Sequence, residues 1–112
     1  MTIYHLAPAA RWRDWPGGTP YLPAEYGADG FVHCTAGDGL MLEVANTFYR
    51  DAPGDFVLLV IEPDRLTAPL KWERSTDGLA QLFPHIYGPI DGAAVVEVRP
   101  VRRGIDGAFL GW

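Results

Sequence analysis

Residues 40–61 run Leu40-Met41-Leu42-Glu43-Val44-Ala45-Asn46-Thr47-Phe48-Tyr49-Arg50, then Asp51-Ala52-Pro53-Gly54-Asp55, then Phe56-Val57-Leu58-Leu59-Val60-Ile61. The first part repeats Leu40, Val44 and Phe48 at four-residue spacing, with Met41 and Ala45 beside them, which predicts a helix over 40–50. Asp38 is the expected N-terminal cap. Pro53-Gly54 forces a turn. The last six residues are apolar at both parities, so 56–61 is expected as a central strand buried on both faces.

Upstream, Thr2 to Leu6 reads as a first strand, with Ile3 and His5 on one face and Tyr4 and Leu6 on the other. Residues 7–15 read as a helix of one to two turns. Pro8 is placed in its first turn, where a missing N–H costs little, and Pro16-Gly17-Gly18 ends it. Residues 19–29 are turn-rich, with Tyr21 on a short strand. Gly30-Phe31-Val32-His33-Cys34-Thr35 is a second clear strand. Downstream, 70–74, 83–87 and 93–98 are strand candidates, and Pro84 pushes the second of them toward a sheet edge because proline cannot donate to a ladder. Residues 104–112 read as a loop anchored by Phe109 and Trp112. Two early helices followed by several strands do not alternate as βαβα. The expected fold is therefore α+β: one compact domain over 1–112, with a mostly antiparallel mixed sheet and two short helices.

Composition narrows the function classes. The 112 residues suit one domain, and 48% hydrophobic against 21% charged residues suit a folded chain rather than a disordered one. The apolar stretches are too short to cross a bilayer, and the N-terminus has neither a basic leader nor an apolar signal core, so a cytoplasmic location without membrane contact is expected. The single cysteine, Cys34, excludes an internal disulfide framework and a multi-cysteine zinc site. Nine basic residues against 14 acidic ones leave a net charge of −5. The basic cluster Arg99, Arg102 and Arg103 is too small to reverse that sign, so nucleic acid is not an expected partner. A small-molecule ligand is; the sequence says nothing of a protein partner.

The three histidines, His5, His33 and His85, all fall on expected strands or their ends. Strand alternation puts His33 with Phe31 and Thr35, puts His85 with Phe83 and Tyr87, and turns Cys34 away from His33. Four readings stay open. The histidines are half-buried structural residues bonded to backbone; or they form a zinc triad, which no local ligand spacing supports; or one activates Cys34, against which the strand parity speaks; or they line a ligand pocket with the Thr35 and Tyr87 hydroxyls. Glu73, beside Trp72 and between Lys71 and Arg74, is either half of a surface ion pair or a carboxylate facing that pocket.

Four pieces in order, Ile3-Tyr4-His5, Gly30-Phe31-Val32-His33-Cys34-Thr35, Trp72-Glu73 and Phe83-Pro84-His85-Ile86-Tyr87-Gly88-Pro89, resemble the family called domain of unknown function 952, small bacterial proteins of about this length. Thr35 stands where serine is usual and keeps the hydroxyl. The resemblance implies an architecture similar to the ADP-ribosyltransferase superfamily, whose active members hold NAD in a cleft. His5 resembles the first-strand histidine of that cleft. The alternation of Phe31 to Thr35 is similar to a histidine-bearing strand of RNA 2′-phosphotransferases on the same fold. Active transferases also use a late-strand glutamate to hold ribose and steady an oxocarbenium-like state, and Glu73 is the strand glutamate near a family motif. The implied function is a histidine-lined cleft that binds NAD or a related nucleotide and transfers an ADP-ribosyl or phosphoryl group. In it His5, His33, His85 and Glu73 are catalytic, Thr35 and Tyr87 line the ligand site, and Arg11 or Arg13 meets a phosphate at the rim. The alternative is a non-catalytic small-molecule-binding or interaction module on a degenerate transferase-like fold. Fold likeness is an associational warrant only.

Overall fold

The computed structural model describes residues 1–75 and 80–112. Strand β1, Ile3–Pro8, leads into helix α1, Ala9–Asp14; then come the one-turn helix α2, Tyr26–Asp29, the two-residue strand β2, Val32–His33, and helix α3, Asp38–Phe48. Strands β3 (Phe56–Ile61), β4 (Leu70–Arg74), β5 (Leu82–Ile86) and β6 (Val95–Pro100) follow, and the short pair β7 (Arg102–Arg103) and β8 (Phe109–Gly111) closes the chain.

The class is α+β, as expected, with one change. The described strands form not one mixed sheet but three antiparallel ones, ordered β1-β3-β6, β2-β5-β4 and β7-β8. The first two sheets are stitched together where Tyr4 and Thr35 exchange backbone hydrogen bonds of 2.7 and 2.9 Å. β3 is central, between β1 and β6, as its two apolar faces require. Its Leu59 and Ile61 join Ile3, Val32 and Ile86 in one core, while Phe56, Leu58 and Val60 join Tyr4, Leu6, Met41 and Ala45 in another on the opposite face. α3 covers the second core; Trp12 and Trp15, on and just after α1, cover the first.

Several expectations are corrected. Pro8 ends β1 and caps α1 in extended conformation rather than lying inside the helix, because its missing N–H is cheap at the end of a ladder. Asp38 is the first residue of α3, not its cap; Gly37 holds that place, and the Asp38 carboxylate instead sits by the Tyr4 hydroxyl and raises the phenol's pKa. Residues 26–29, within the turn-rich stretch, form a helical turn, and Tyr21 makes a single bridge to Ile90 rather than a strand. The expected strand over 30–35 is regular only at Val32–His33. Within residues 104–112, read as a loop, Phe109–Gly111 forms β8 and pairs with β7.

Pro84 is the clearest correction: β5 lies in the middle of its sheet, not at an edge. Its carbonyl accepts from the Cys34 N–H at 3.1 Å, just past the end of β2. Carbonyl and nitrogen of a strand residue point to the same side, so the absent N–H falls where the two-residue partner strand has already run out.

Candidate functional site

Two histidines meet on the face of the second sheet away from the first core. β2 and β5 pair antiparallel with His33 opposite His85, so both rings project from the same face, and their centroids lie 5.5 Å apart. Phe31 stacks on His85 at 4.1 Å with its plane tilted by 23°, and it touches His33 at 4.6 Å. Strand alternation put His33 with Phe31 and His85 with Tyr87, but it did not bring the two strands together. It did not foresee the contacts that orient the rings.

Each imidazole has a carboxylate. His85 Nδ1 lies 2.9 Å from Glu73 Oε1, and the Tyr87 hydroxyl donates to the same oxygen at 2.5 Å. The hydrogen bonds from Tyr87 and then His85 hold the Glu73 carboxyl below its usual pKa, and the Glu73 carboxylate raises that of the Tyr87 phenol. An ionised carboxylate only accepts, so His85 donates through Nδ1–H and keeps Nε2 as its other ring nitrogen. His33 Nε2 lies 3.0 Å from Asp29 Oδ2. Local chain geometry makes that contact. α2 ends at Asp29, and Gly30 turns the chain in the left-handed region at φ 79°, a conformation glycine adopts without strain. The reversal brings the side chain four residues before His33 back onto its ring.

A cavity of about 330 Å³ opens beside these rings, near the small end of ligand-site volumes. His33, His85, Thr35 and Phe83 wall it from the sheet side, Val44 and Phe48 from α3, and Glu25 and Asp29 at the α2 side. The apolar residues whose repeat predicted this helix divide between two environments. Met41 and Ala45 carry α3's buried contact, while Val44 and the 43%-exposed Phe48 line the cavity.

The expected site residues separate into those the fold brings together and those it does not. His33, His85 and Thr35 line the cavity; Glu73 and Tyr87 reach it only through His85. His5 is not in the wall. It is 1% exposed on the opposite face of β1, and its Nδ1–H donates to the His33 carbonyl at 2.7 Å. Burial pushes its pKa down, so the ring is neutral and ties β1 to β2 from behind. Arg11 donates twice to the Leu22 carbonyl and stacks on Trp15, and Arg13 pairs with Asp14 on the surface, so neither lines the cavity. Cys34 is buried, and burial alone pushes its thiol well above the ordinary range, which leaves no thiolate for nucleophilic work near neutral pH. Among the described residues no three His, Cys, Asp or Glu side chains are placed to hold a metal. Nor, among the described residues, is any helix long and apolar enough to cross a membrane.

Asp29, Glu25 and the stacking role of Phe31 were missed by the sequence reading. A signal existed: Asp29 stands four residues before His33, across the helix-ending Gly30.

Residues 6–98 match the family described as protein of unknown function, DUF952. The chain belongs to this family. No curated protein shows significant similarity to it. Among solved structures it is similar to protein CC0527 from Caulobacter crescentus. That protein's crystal structure superposes with a TM-score of 0.81 at 31% identity, covering 98% of this chain and 94% of that one. Its solution NMR structure gives a TM-score of 0.74 at 33% identity, covering 95% and 89%.

Proposed function

We propose that the cavity binds NAD or a related nucleotide on a transferase-like fold, and that His33 and His85 do the proton work of ADP-ribosyl or phosphoryl transfer there. The observation that carries this reading is the Glu73–His85 pair at the cavity wall. Glu73 fixes the tautomer and would stabilise the imidazolium that forms, the arrangement general-base catalysis needs. Glu73 and Tyr87 are absent from the cavity wall and Glu73 holds Nδ1, which leaves Nε2 as the His85 nitrogen for the transfer. An acceptor hydroxyl in the cavity passes its proton to that Nε2. The freed oxygen bonds to the ribosyl carbon or the phosphorus, and the leaving group departs with its bonding electron pair. His33, held by Asp29, stands across from it as the second proton-transfer group. The Thr35 hydroxyl is a fixed polar contact for the ligand.

One observation favours the non-catalytic alternative. Glu73 is occupied by His85 and Tyr87 and does not reach the cavity, so it cannot hold ribose in the way the family resemblance implied. The two readings part on turnover. An amide NMR titration with NAD is expected to perturb residues around His33, Thr35 and His85. A nicotinamide-release assay is then expected to show turnover that His85→Ala abolishes. Binding without turnover would leave the non-catalytic module, and no binding of NAD would remove the nucleotide reading.

A further inference from the structure

We propose that the outer edge of β4 pairs with the same edge of a second copy of this chain, joining two β2-β5-β4 sheets into one continuous sheet about a two-fold axis. The first two sheets, stitched at Tyr4 and Thr35, end at β6 on one side and at β4 on the other. The two ends differ. β6 carries a register shift opposite Val60 and Ile61 and closes on Pro100, and a bulge and a proline both keep an edge from pairing. β4, Leu70-Lys71-Trp72-Glu73-Arg74, has an unbroken register and no proline. Its inner bonds fix which groups face out. The Tyr87 N–H donates to the Pro69 carbonyl, so by ladder alternation Lys71 and Glu73 bond to β5, while the N–H and C=O groups of Leu70, Trp72 and Arg74 point away from the sheet. Among the described residues no backbone group pairs with them.

A second copy fits this edge because the strand is self-complementary in charge. In an antiparallel pair centred on Trp72, Lys71 faces the partner's Glu73 on one face, and Leu70 faces the partner's Arg74 on the other. The outward groups of Trp72 make the central pair a hydrogen-bonded one. Lys71 and the partner's Glu73 then fall at a non-hydrogen-bonded position, where side chains approach most closely. Both charges are available. Glu73 Oε1 is taken by His85 and Tyr87, which leaves Oε2, and the side chain is 37% exposed. Lys71 lies 4.8 Å over the Tyr87 ring, on the same face as Glu73, and among the described residues it closes no ion pair, not even with Glu73. The remaining charges do not oppose the pairing. The two Arg74 side chains lie about 14 Å apart, beyond the screening length at physiological salt, and each is within diagonal reach of the partner's Trp72 ring.

The pairing also covers apolar surface that the fold leaves in water. Trp72 is 42% and Leu82 53% exposed, and the β4–β5 register puts them on one face of neighbouring strands. The two-fold axis brings both Trp72 rings together at the centre of that face. An edge of five residues buries less than a standard interface, so the dimer is weak, with a Kd of about 10–100 µM. The second copy also reaches the site described above. The partner's Lys71 brings a cation to the open oxygen of Glu73, the carboxylate that holds His85. The proposal stands on the strand edge and needs no nucleotide in the cavity.

The test is sedimentation velocity of the whole protein over about 10 µM to 1 mM, a range that brackets the expected Kd. The weight-average mass is expected to rise with concentration from the 12.3 kDa of one chain toward twice that value. Trp72→Pro removes the outward N–H at the centre of the pair and none of the bonds to β5, so it is expected to stay monomeric, with a thermal melt showing that it folds. Lys71→Glu sets carboxylates against each other across the axis, and Glu73→Lys sets ammonium groups. Each is expected to weaken self-association about tenfold or more, and an equimolar mixture of the two is expected to restore it, because every cross-strand pair is then of opposite charge. The mixing experiment decides by itself if Trp72→Pro does not fold. A chain that stays monomeric at the highest concentration overturns the proposal and leaves the edge to a different partner. Association that Trp72→Pro leaves intact, or that mixing the charge variants fails to restore, places the contact elsewhere and overturns it as well.

Discussion

His5 and His85 are both almost fully buried, 1% and 4% exposed, yet they sit on opposite sides of the sheet system with opposite kinds of partner. His5 donates to a backbone carbonyl, and its Nε2 is buried with no partner among the described residues. His85 donates to a side-chain carboxylate and lies in the wall of a cavity. A carbonyl fixes a histidine in place. A carboxylate fixes it and also stabilises the protonated ring, so only the second arrangement is poised to move a proton. Burial alone would have ranked the two histidines alike.

The comparison breaks most sharply at His85. If the proposed transfer occurs, His85→Ala is expected to lower turnover by about 10²–10⁴-fold, the usual worth of a positioned proton-transfer group, with folding retained. Nicotinamide release and a thermal melt check both halves. Glu73→Gln tests the partner. It keeps the shape and removes the charge, so turnover should fall less than in His85→Ala, while Tyr87→Phe, which removes one hydrogen bond to that carboxylate, should fall less again.

His5→Ala is expected to act on folding instead. It opens a cavity in the core and strips the His33 carbonyl of its donor, at a cost of about 2–4 kcal/mol read as a lowered urea midpoint. If this variant instead kept full stability and lost ligand binding, the division between the two histidines would be wrong.

The smallest effect is a pH dependence. Burial holds His5 below its ordinary pKa of 6.5, so below that pH the unfolded chain takes up a proton that the folded one refuses. Stability is then full above about pH 6.5 and falls on acidification, by at most about 1.4 kcal/mol per pH unit for one proton. Urea midpoints between pH 5 and 8 should show this slope, and His5→Gln should flatten it. The loss tied to Glu73, whose pKa is also lowered, belongs further down, beginning below its ordinary value of 4.5.

Gly88 sharpens the comparison from the other end of the heptad motif. A Cβ there would lie 2.6 Å from Ala68 Cβ, so Gly88→Ala must push apart the segments that lead into β4 and out of β5. Its expected signature is a shift of the Tyr87, Glu73 and His85 resonances rather than of His5.

Much of this was legible in residue order, and for reasons of period. The unbroken apolar run over 56–61 marked the central strand buried on both faces, because strand side chains must alternate across the sheet. The same parity put His33 with Phe31 and Thr35 and His85 with Phe83 and Tyr87, and the order of the motifs carried the family. Periodicity could not say which side of α3 meets the core, since Leu40, Val44 and Phe48 are as apolar as Met41 and Ala45; Met41 and Ala45 are buried in the core, while Val44 and Phe48 line the cavity. Nor could it place Pro84, whose missing donor is harmless only because β2 is two residues long. The partners of the histidines lay furthest from reach. Glu73 and His85 are brought together by β4 pairing with β5, Asp29 and His33 by the left-handed turn at Gly30, and His5 and the His33 carbonyl by the join between two sheets. Faces are properties of a segment and can be read from it. Contacts between segments depend on register and crossing, and those were decided only when the chain closed on itself.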